Sequence, residues 1–175
     1  NIPYYNVIRN MKKGIIHFVL KNNFQNIAKI LIIQGISLNG IYENESVLHL
    51  ASVIRNSKEK EKSILKLIVE KLEMKKMILK YLLNTKESYG NTPLFLAVKH
   101  GILNNIETLA DVCQKYKVLK IILEDENNRK RCILHVAAEK NCDEKSLDYL
   151  LNLSKSEPRT LKTIITKKDQ NGNNP

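Results

Sequence analysis

Three histidines are the first side chains in this chain that could carry out chemistry. His17, His49 and His135 could bind a metal ion or transfer protons near neutral pH. Each lies in the same short phrase of apolar residue, His, apolar residue, then Ala or Val. The phrase recurs with Phe95 in the place of His, at intervals of 32, 46 and 40 residues. One His per repeated unit would put neighbouring imidazoles roughly 10 Å apart in packed helices, so we expect no tetrahedral metal site.

Cys132 and His135 form a second candidate site. Residues three apart share one face of a helix, where a thiol and an imidazole could act as a nucleophilic pair. No third residue that would orient the imidazole is evident. The full set of Cys113, Cys132 and Cys142 is odd in number and lacks C-x-x-C spacing, which argues against a disulfide framework and a zinc site and favours a reducing compartment. We therefore expect no enzymatic activity, no cofactor and no small-molecule substrate.

The recurring phrase requires repeated helical elements to position it. With 175 residues, 43% apolar content and no Trp, the chain can form one domain with a core of Ile, Leu and Val. Residues 79–93 match residues 161–175 at an offset of 82, and residues 119–123 repeat the first part at an offset of 40. Each unit reads as a short helix, a tight turn, a second helix and a polar connector.

The ends of the helices are predicted from turn and cap residues. Gly101, Asn23 and Asn141 follow the first helices of three units, and Gly and Asn accept the left-handed backbone that ends a helix. In the second unit the aligned position is Arg55, so the turn there is expected to be displaced by one residue. The N-caps predicted for the second helices are Ser57, Asn105 and Asp143.

Second helices are indicated by apolar residues at the helical period. The stripes are Ile27, Ile30 and Leu31; Ile64, Leu67 and Ile68; Ile106, Leu109, Ala110 and Cys113; and Leu147, Leu150 and Leu151. Residues 72–84, 115–125 and 154–167 extend the later three units. The sequence leaves open whether such an extension, for example Met74 to Leu83, prolongs the second helix or forms a third one.

One unit closely resembles the ankyrin repeat. Residues 90–97 read Gly-Asn-Thr-Pro-Leu-Phe-Leu-Ala and are followed by His100-Gly101, similar to the family's G-x-T-P-L-H-x-A opening and closing Gly. The resemblance implies an all-α, ankyrin-type helical solenoid of about four repeats plus the start of a fifth, with extended second helices or extra helical segments. It also implies that His17, His49 and His135 are packed residues that hydrogen-bond the turn region of a neighbouring repeat, and that Cys132 replaces a capping Thr.

The expected domain organisation follows from the same resemblance. We expect a single ankyrin-repeat domain over residues 1–175, as part of a longer protein. The repeats are expected at about 8–40, 41–86, 87–126 and 127–168, with a partial repeat at 169–175.

The resemblance further implies a function in protein–protein interaction, through a concave face built from hairpin tips and first helices. The residues that this carries over are Tyr42, Val53, Ile54, Ser88, Tyr89, Asn91, Lys99, His100, Asn128, Arg129, Arg131, Glu139 and Lys140. Exposed Val53 and Ile54 beside Tyr42 and Tyr89 would form an apolar centre for a partner with an acidic rim. The alternative is that Val53 and Ile54 pack beneath the displaced turn.

Other functions rest on the basic composition and on the expected longer chain. The formal net charge is +11, so the runner-up is attachment to nucleic acid or an anionic membrane surface. The lysines are scattered along the sequence, which ranks this below a protein partner. The chain could also be the non-catalytic targeting arm of a larger effector or signalling enzyme. Because the apolar stretches are shorter than the ~20 residues of a membrane helix, we expect no membrane span. The cysteines favour a reducing compartment, so we expect a cytoplasmic protein, in the host cytosol if it is a bacterial effector, and we expect a monomer.

Overall fold

The fold is mostly helical in a computed structural model that describes residues 14–56, 62–138, 143–155 and 158–175. The first units contain α1 (residues 14–21), α2 (Gln25–Ile33), α3 (Val47–Ser52), α4 (Ile64–Glu73) and α5 (Lys76–Asn84). The later ones contain α6 (Pro93–Lys99), α7 (Leu103–Lys115), α8 (Leu119–Glu124), α9 (Ile133–Ala137), α10 (Glu144–Lys155) and α11 (Pro158–Ile165). Strands β1 (Ile41–Tyr42) and β2 (Glu45–Ser46) pair antiparallel, with Ile41 opposite Ser46. The all-α prediction is confirmed.

The short helices begin and end where the local sequence predicts. Thr92 caps α6 by accepting a hydrogen bond from the backbone N–H of Phe95, and Pro93 occupies the first turn, where its missing N–H costs nothing. Asn23 and Gly101 have φ values of 56° and 57°, which confirms the left-handed turns predicted after the first helices. Asn141 lies outside the described residues.

Neighbouring units pack side by side. Helix α3 contacts α6, and α6 contacts α9; in the adjacent layer α2 contacts α4, α4 contacts α7 and α7 contacts α10. The core lies between these two rows of helices, where Leu48, Leu94, Phe95, Ile106 and Leu109 are almost completely buried. Each helix therefore buries apolar surface mainly against helices of its own unit and of the next one.

The extensions form separate third helices. Met74 and Lys75 end α4, and α5 starts anew at Lys76; in the same way α8 follows α7 and α11 follows α10. Helix α5 buries Leu79, Leu82 and Leu83, and α8 buries the residues 40 positions later, Leu119, Ile122 and Leu123. The third-helix alternative is therefore the correct one for these segments.

One predicted cap has a different role. Asn105 lies inside α7 and is buried, and its side-chain Nδ2 donates to the carbonyl oxygens of Ser52 and Ile54, at 3.0 Å each. The N-cap prediction for Asn105 is thus wrong: it satisfies carbonyl groups at the C-terminal end of α3 in the preceding unit. Asp143 does accept from the N–H of Ser146 at 2.7 Å, as an N-cap does. Ser57 lies outside the described residues.

The apolar stripe predicted for α2 is also partly wrong. Ile27 and Ile30 are 49% and 58% exposed, whereas Ala28 and Ile32 are buried. Ala28 and Ile32 are four residues apart and so occupy one face of the helix. Helix α2 therefore turns that face to the core and leaves Ile27 and Ile30 outside.

Candidate functional site

Three turns with the same backbone hydrogen bonds form the most regular surface feature. They comprise residues 87–91, 127–131 and 169–173. In each turn the N–H of the first residue donates to the carbonyl of the fifth, at 3.0, 3.0 and 2.9 Å, and the N–H of the fourth donates to the carbonyl of the first. The fourth residue is left-handed in all three, with φ of 81° at Gly90, 56° at Lys130 and 81° at Gly172. The three turns are therefore equivalent.

The side chain of the first residue holds each turn from within. Asn127 Oδ1 accepts from the N–H groups of the third and fifth residues, at 3.0 and 3.2 Å. Asp169 Oδ1 does the same at 2.8 and 3.0 Å. Glu87 uses one carboxylate oxygen for each N–H, at 2.8 and 3.1 Å. The hydrogen bond from the N–H of Asn173 is the main cause that lowers the pKa of Asp169. These bonds leave the side chains at the second and third positions of each turn free for other contacts.

Successive turns are also bonded to one another. The N–H of Asn128 donates to the carbonyl of Tyr89, and the N–H of Gln170 donates to the carbonyl of Arg129, at 3.0 Å each. Asn128 Nδ2 adds a hydrogen bond to the carbonyl of Ser88 at 3.0 Å. We call residues 87–91, 127–131 and 169–173 the turn ladder. The approach is so close that a Cβ atom at Gly90 would lie 2.7 Å from the backbone nitrogen of Asn128.

Two buried histidines hydrogen-bond to the turn ladder. His49 Nε2 donates to the carbonyl of Asn91 at 3.1 Å, and His135 Nε2 donates to the carbonyl of Asn173 at 2.9 Å. In both, Nδ1 accepts a backbone N–H, from Ser46 or Cys132, which requires the neutral imidazole. Burial lowers the pKa of His49, which favours that form. The packing role implied by the ankyrin resemblance is confirmed for these two residues.

His17 is packed as well, but neither of its ring nitrogens has a hydrogen-bond partner among the described residues, so the prediction that it bonds to a neighbouring turn is wrong. It is buried, and its ring centre lies 6.2 Å from that of Tyr42. Burial lowers the pKa of His17. The imidazoles of all three units therefore lie inside the protein.

The cysteine–histidine pair is enclosed by the protein. Cys132 Sγ lies 3.0 Å from His135 Nδ1, but the residue is fully buried at the start of α9. Burial raises the pKa of the Cys132 thiol and raises that of Cys113 to about 12. Both thiols are therefore protonated at neutral pH and shielded from substrates. In the described ranges, no three His, Cys, Asp or Glu side chains come together as a metal site would require.

Most of the predicted binding residues are exposed. Tyr42 and Tyr89 expose 41% and 71% of their surface. The other exposed members are Ser88, Lys99, His100, Asn128 and Arg129. Glu139 and Lys140 lie outside the described residues.

Two of the predicted binding residues are buried, and the prediction that they are accessible is wrong. Ile54 is 8% exposed because the chain turns inward after α3, and Val53 is half-buried. The alternative, packing beneath the turn, is correct for Ile54. Asn91 is 3% exposed: its Nδ2 donates to Glu87 at 2.6 Å, and its Oδ1 accepts from Asn127 Nδ2 at 3.0 Å. Asn91 thus links two turns of the ladder and is not available to a partner.

Arg131 is intermediate between the two groups. It is half-buried, and its Nε lies 3.7 Å from Asp169 Oδ2, so it contributes an ion pair between the second and third turns. Of the four residues predicted to form an exposed apolar centre, Tyr42 and Tyr89 are exposed, whereas Val53 is half-buried and Ile54 is buried. Sequence reasoning missed the bonds between turns, although the spacing of Glu87, Asn127 and Asp169 was a signal that could have indicated them.

The charges along the turns are uneven. At the hairpin between β1 and β2, Lys21 forms ion pairs with Glu43 and Glu45, at 2.8 and 3.5 Å. The second turn of the ladder exposes Arg129 and Lys130. Burial, followed by the charges of Lys99 and Arg55, lowers the pKa of His100 at the end of α6. Basic side chains therefore lie close together at the end of α6, and two more are exposed on the second ladder turn.

Comparison of the chain with models of known protein families and with curated protein sequences gave no match. In the ranges that the structure describes, none of the helices is both long enough and apolar enough to cross a membrane.

Proposed function

We propose that the chain is an ankyrin-type repeat scaffold that binds another protein through its turn surface. We define the turn surface as Tyr42, Ser88, Tyr89, Asn128 and Arg129, with Lys99 and His100 on α6. The observation that carries the proposal is the bonding of successive turns, such as the hydrogen bond between Asn128 and Tyr89 at 3.0 Å. It fixes the backbone that carries Ser88, Tyr89, Asn128 and Arg129 before any partner arrives, which lowers the entropic cost of binding.

Further support comes from side chains that the fold does not need. Tyr89 is 71% exposed and projects from a turn that is held by Glu87, by backbone bonds and by Asn127, Asn128 and His49 without its own side chain. A large amphipathic ring on a rigid turn is typical of residues that dominate binding energy. Since Tyr89 is flanked by basic residues on the next turn, the partner proposed is a protein with an acidic rim around an apolar pocket.

The compartment and the lack of catalysis belong to the same proposal. Cys113 and Cys132 are free and buried, which suits a reducing compartment such as the cytoplasm. In the described part of the chain, the cysteine–histidine pair is inaccessible and its thiol is protonated. We therefore infer that the protein acts by binding, as a scaffold or as the targeting arm of a larger chain.

A matched pair of tyrosines tests the proposal. Tyr81 on α5 is 61% exposed, close to the 71% of Tyr89, but lies away from the ladder. A photo-crosslinking amino acid at position 89 should capture the partner, and the same group at position 81 should not. With the captured protein purified, Tyr89→Ala should weaken binding by about 2 kcal/mol in calorimetry, within the range for a binding hot spot.

Controls separate loss of binding from loss of structure. Tyr89→Ala should leave the thermal unfolding midpoint unchanged, because the ring contributes little to the core, and Tyr81→Ala should leave the affinity unchanged. Arg129→Glu should weaken the complex further if the rim of the partner is acidic. Unchanged affinity in both Tyr89→Ala and Arg129→Glu would show that the turn surface is not the binding site.

A further inference from the structure

The segments around the third helices are predominantly basic. Residues 74–86, 112–123 and 158–168 contain four, three and four Lys or Arg and no Asp or Glu, and α8 ends at an acidic residue, Glu124. The chain as a whole has 29 basic and 18 acidic residues. If basic and acidic residues were mixed in that proportion, several acidic residues would lie in these segments. The excess of basic residues there is therefore larger than the composition alone predicts.

Several of these cations have no ion-pair partner among the described residues. Lys86, Lys115, Lys120 and Lys167 are paired, with Asp125, Glu73, Glu124 and Glu126. By contrast, Lys75, Lys76, Lys80, Lys117 and Lys162 are exposed, and none of them lies within 4 Å of a described carboxylate. Their charge is therefore available to an anionic ligand.

The third helices lie along one side of the protein and present equivalent positions. Helices α5 and α8 both pack on α7, and α11 packs on α8. Lys80, Lys120 and Lys162 each follow a leucine that packs against the core, at positions 79, 119 and 161. Equivalent positions on stacked helices point in a common direction, so the three lysines form a row. We call the exposed residues of α5, α8, α11 and their leading turns the third-helix face.

Large apolar side chains project between these lysines. Met74 and Met77 are 90% and 81% exposed, Tyr81 is 61% exposed and Ile121 is 62% exposed. Each of these four residues lies directly beside a lysine in the sequence. Basic residues interleaved with exposed apolar residues are the pattern by which amphipathic surfaces bind anionic bilayers, with lysines at the headgroups and apolar side chains in the acyl boundary.

We propose that the third-helix face binds the surface of an anionic phospholipid membrane. It is distinct from the turn surface, so the chain could hold a protein partner at a membrane. The types of side chain favour lipid over nucleic acid. Methionine and isoleucine insert between acyl chains but do not stack on bases, whereas single-stranded RNA binding relies on aromatic rings and arginine. The third-helix face offers one exposed tyrosine and one arginine, Arg159.

Vesicle sedimentation with the full 175-residue chain tests this inference. The probes are vesicles of phosphatidylcholine alone and vesicles with about 30% phosphatidylserine, in about 0.1 M NaCl. The protein should sediment with the second and not with the first. Each lysine near an anionic surface strengthens binding about fivefold, so Lys80→Glu/Lys162→Glu should weaken it by about 25-fold or more. Met77→Ser/Ile121→Ser should weaken binding even in high salt.

A charge-matched variant of the turn surface is the control. Lys99→Glu/Arg129→Glu changes the net charge by the same amount but should keep binding to the vesicles. Equal losses in the two double variants would mean that net charge alone causes attachment, and would overturn the assignment to the third-helix face. The proposal is also overturned if the chain ignores phosphatidylserine vesicles, or if a single-stranded RNA oligonucleotide binds more tightly and loses its affinity with Lys80→Glu/Lys162→Glu. Binding of a protein partner is measured separately, so either proposal can fail alone.

Discussion

Replacing Gly90 with alanine tests whether the turns of the ladder hold one another in place. Gly90 has φ +81°, a conformation that costs alanine about 1 kcal/mol. The added Cβ would also lie 2.7 Å from the backbone nitrogen of Asn128, which forces the next turn away. That movement breaks two hydrogen bonds from Asn128, to the carbonyls of Tyr89 and Ser88, worth about 1 kcal/mol each. We expect Gly90→Ala to lower the free energy of unfolding by about 3 kcal/mol.

Gly35 provides the matched control. Its φ is +83°, almost the same as that of Gly90, but a Cβ there would meet nothing within 4 Å. Gly35→Ala should therefore cost only the backbone term of about 1 kcal/mol. The difference of about 2 kcal/mol between the two variants isolates the contact between turns.

Urea denaturation followed by circular dichroism measures this difference. The slope with urea must be the same in both variants and the parent chain, because only then does the midpoint report stability alone. If Gly90→Ala and Gly35→Ala lower the free energy of unfolding equally, the turns of the ladder do not stabilise one another. The proposal that bonds between turns fix the turn surface before binding would then be wrong.

Three further predictions concern buried polar groups. Asn105→Ala should cost about 2 kcal/mol, because the carbonyls of α3 lose their donor, whereas the exposed neighbour variant Asn104→Ala should cost little; equal effects in urea denaturation would contradict the capping role. Burial lowers the pKa of His17 and His49 below 6.5, so the unfolded state takes up protons first and stability should fall as pH drops below about 6.5, by at most ~1.4 kcal/mol per pH unit for each histidine. His49→Gln should reduce that slope, and an unchanged slope would argue against His49 as its source. Cys113, buried with a pKa of about 12, should resist iodoacetamide until denaturant is added, as peptide mapping by mass spectrometry would show.

The sequence by itself determined the features that depend on neighbours in the chain. Thr92 and Pro93 start α6, and Gly101 ends it, because caps and left-handed residues act within one turn of a helix. The resemblance of the repeated phrase to the ankyrin repeat implied that His49 and His135 are packed residues, and their burial and their hydrogen bonds to neighbouring turns confirm that role. Helix content and most of the buried faces were predictable for the same reason.

Tertiary structure decided the features that depend on distant partners. Asn105 donates to carbonyls more than 50 residues away, and Asn91 accepts from Asn127, 36 residues away. The local sequence around an asparagine is the same whether its side chain caps a helix, lies free on the surface or joins two units. Ile54 was predicted to be exposed, but the apolar surroundings that bury it form only when the next unit packs over α3.

The arrangement of the lysines is the clearest example of a feature that the sequence alone does not predict. Along the chain they are scattered, and each third helix alone is an ordinary amphipathic helix with a solvated face. Stacking of the third helices places Lys80 and Lys162, 82 residues apart in the sequence, on one side of the protein. The sequence determined where each helix is polar, because that depends on spacing within the helix. Only the packing of the units decided that the polar faces add up to one charged surface, because that depends on how helices are placed relative to one another.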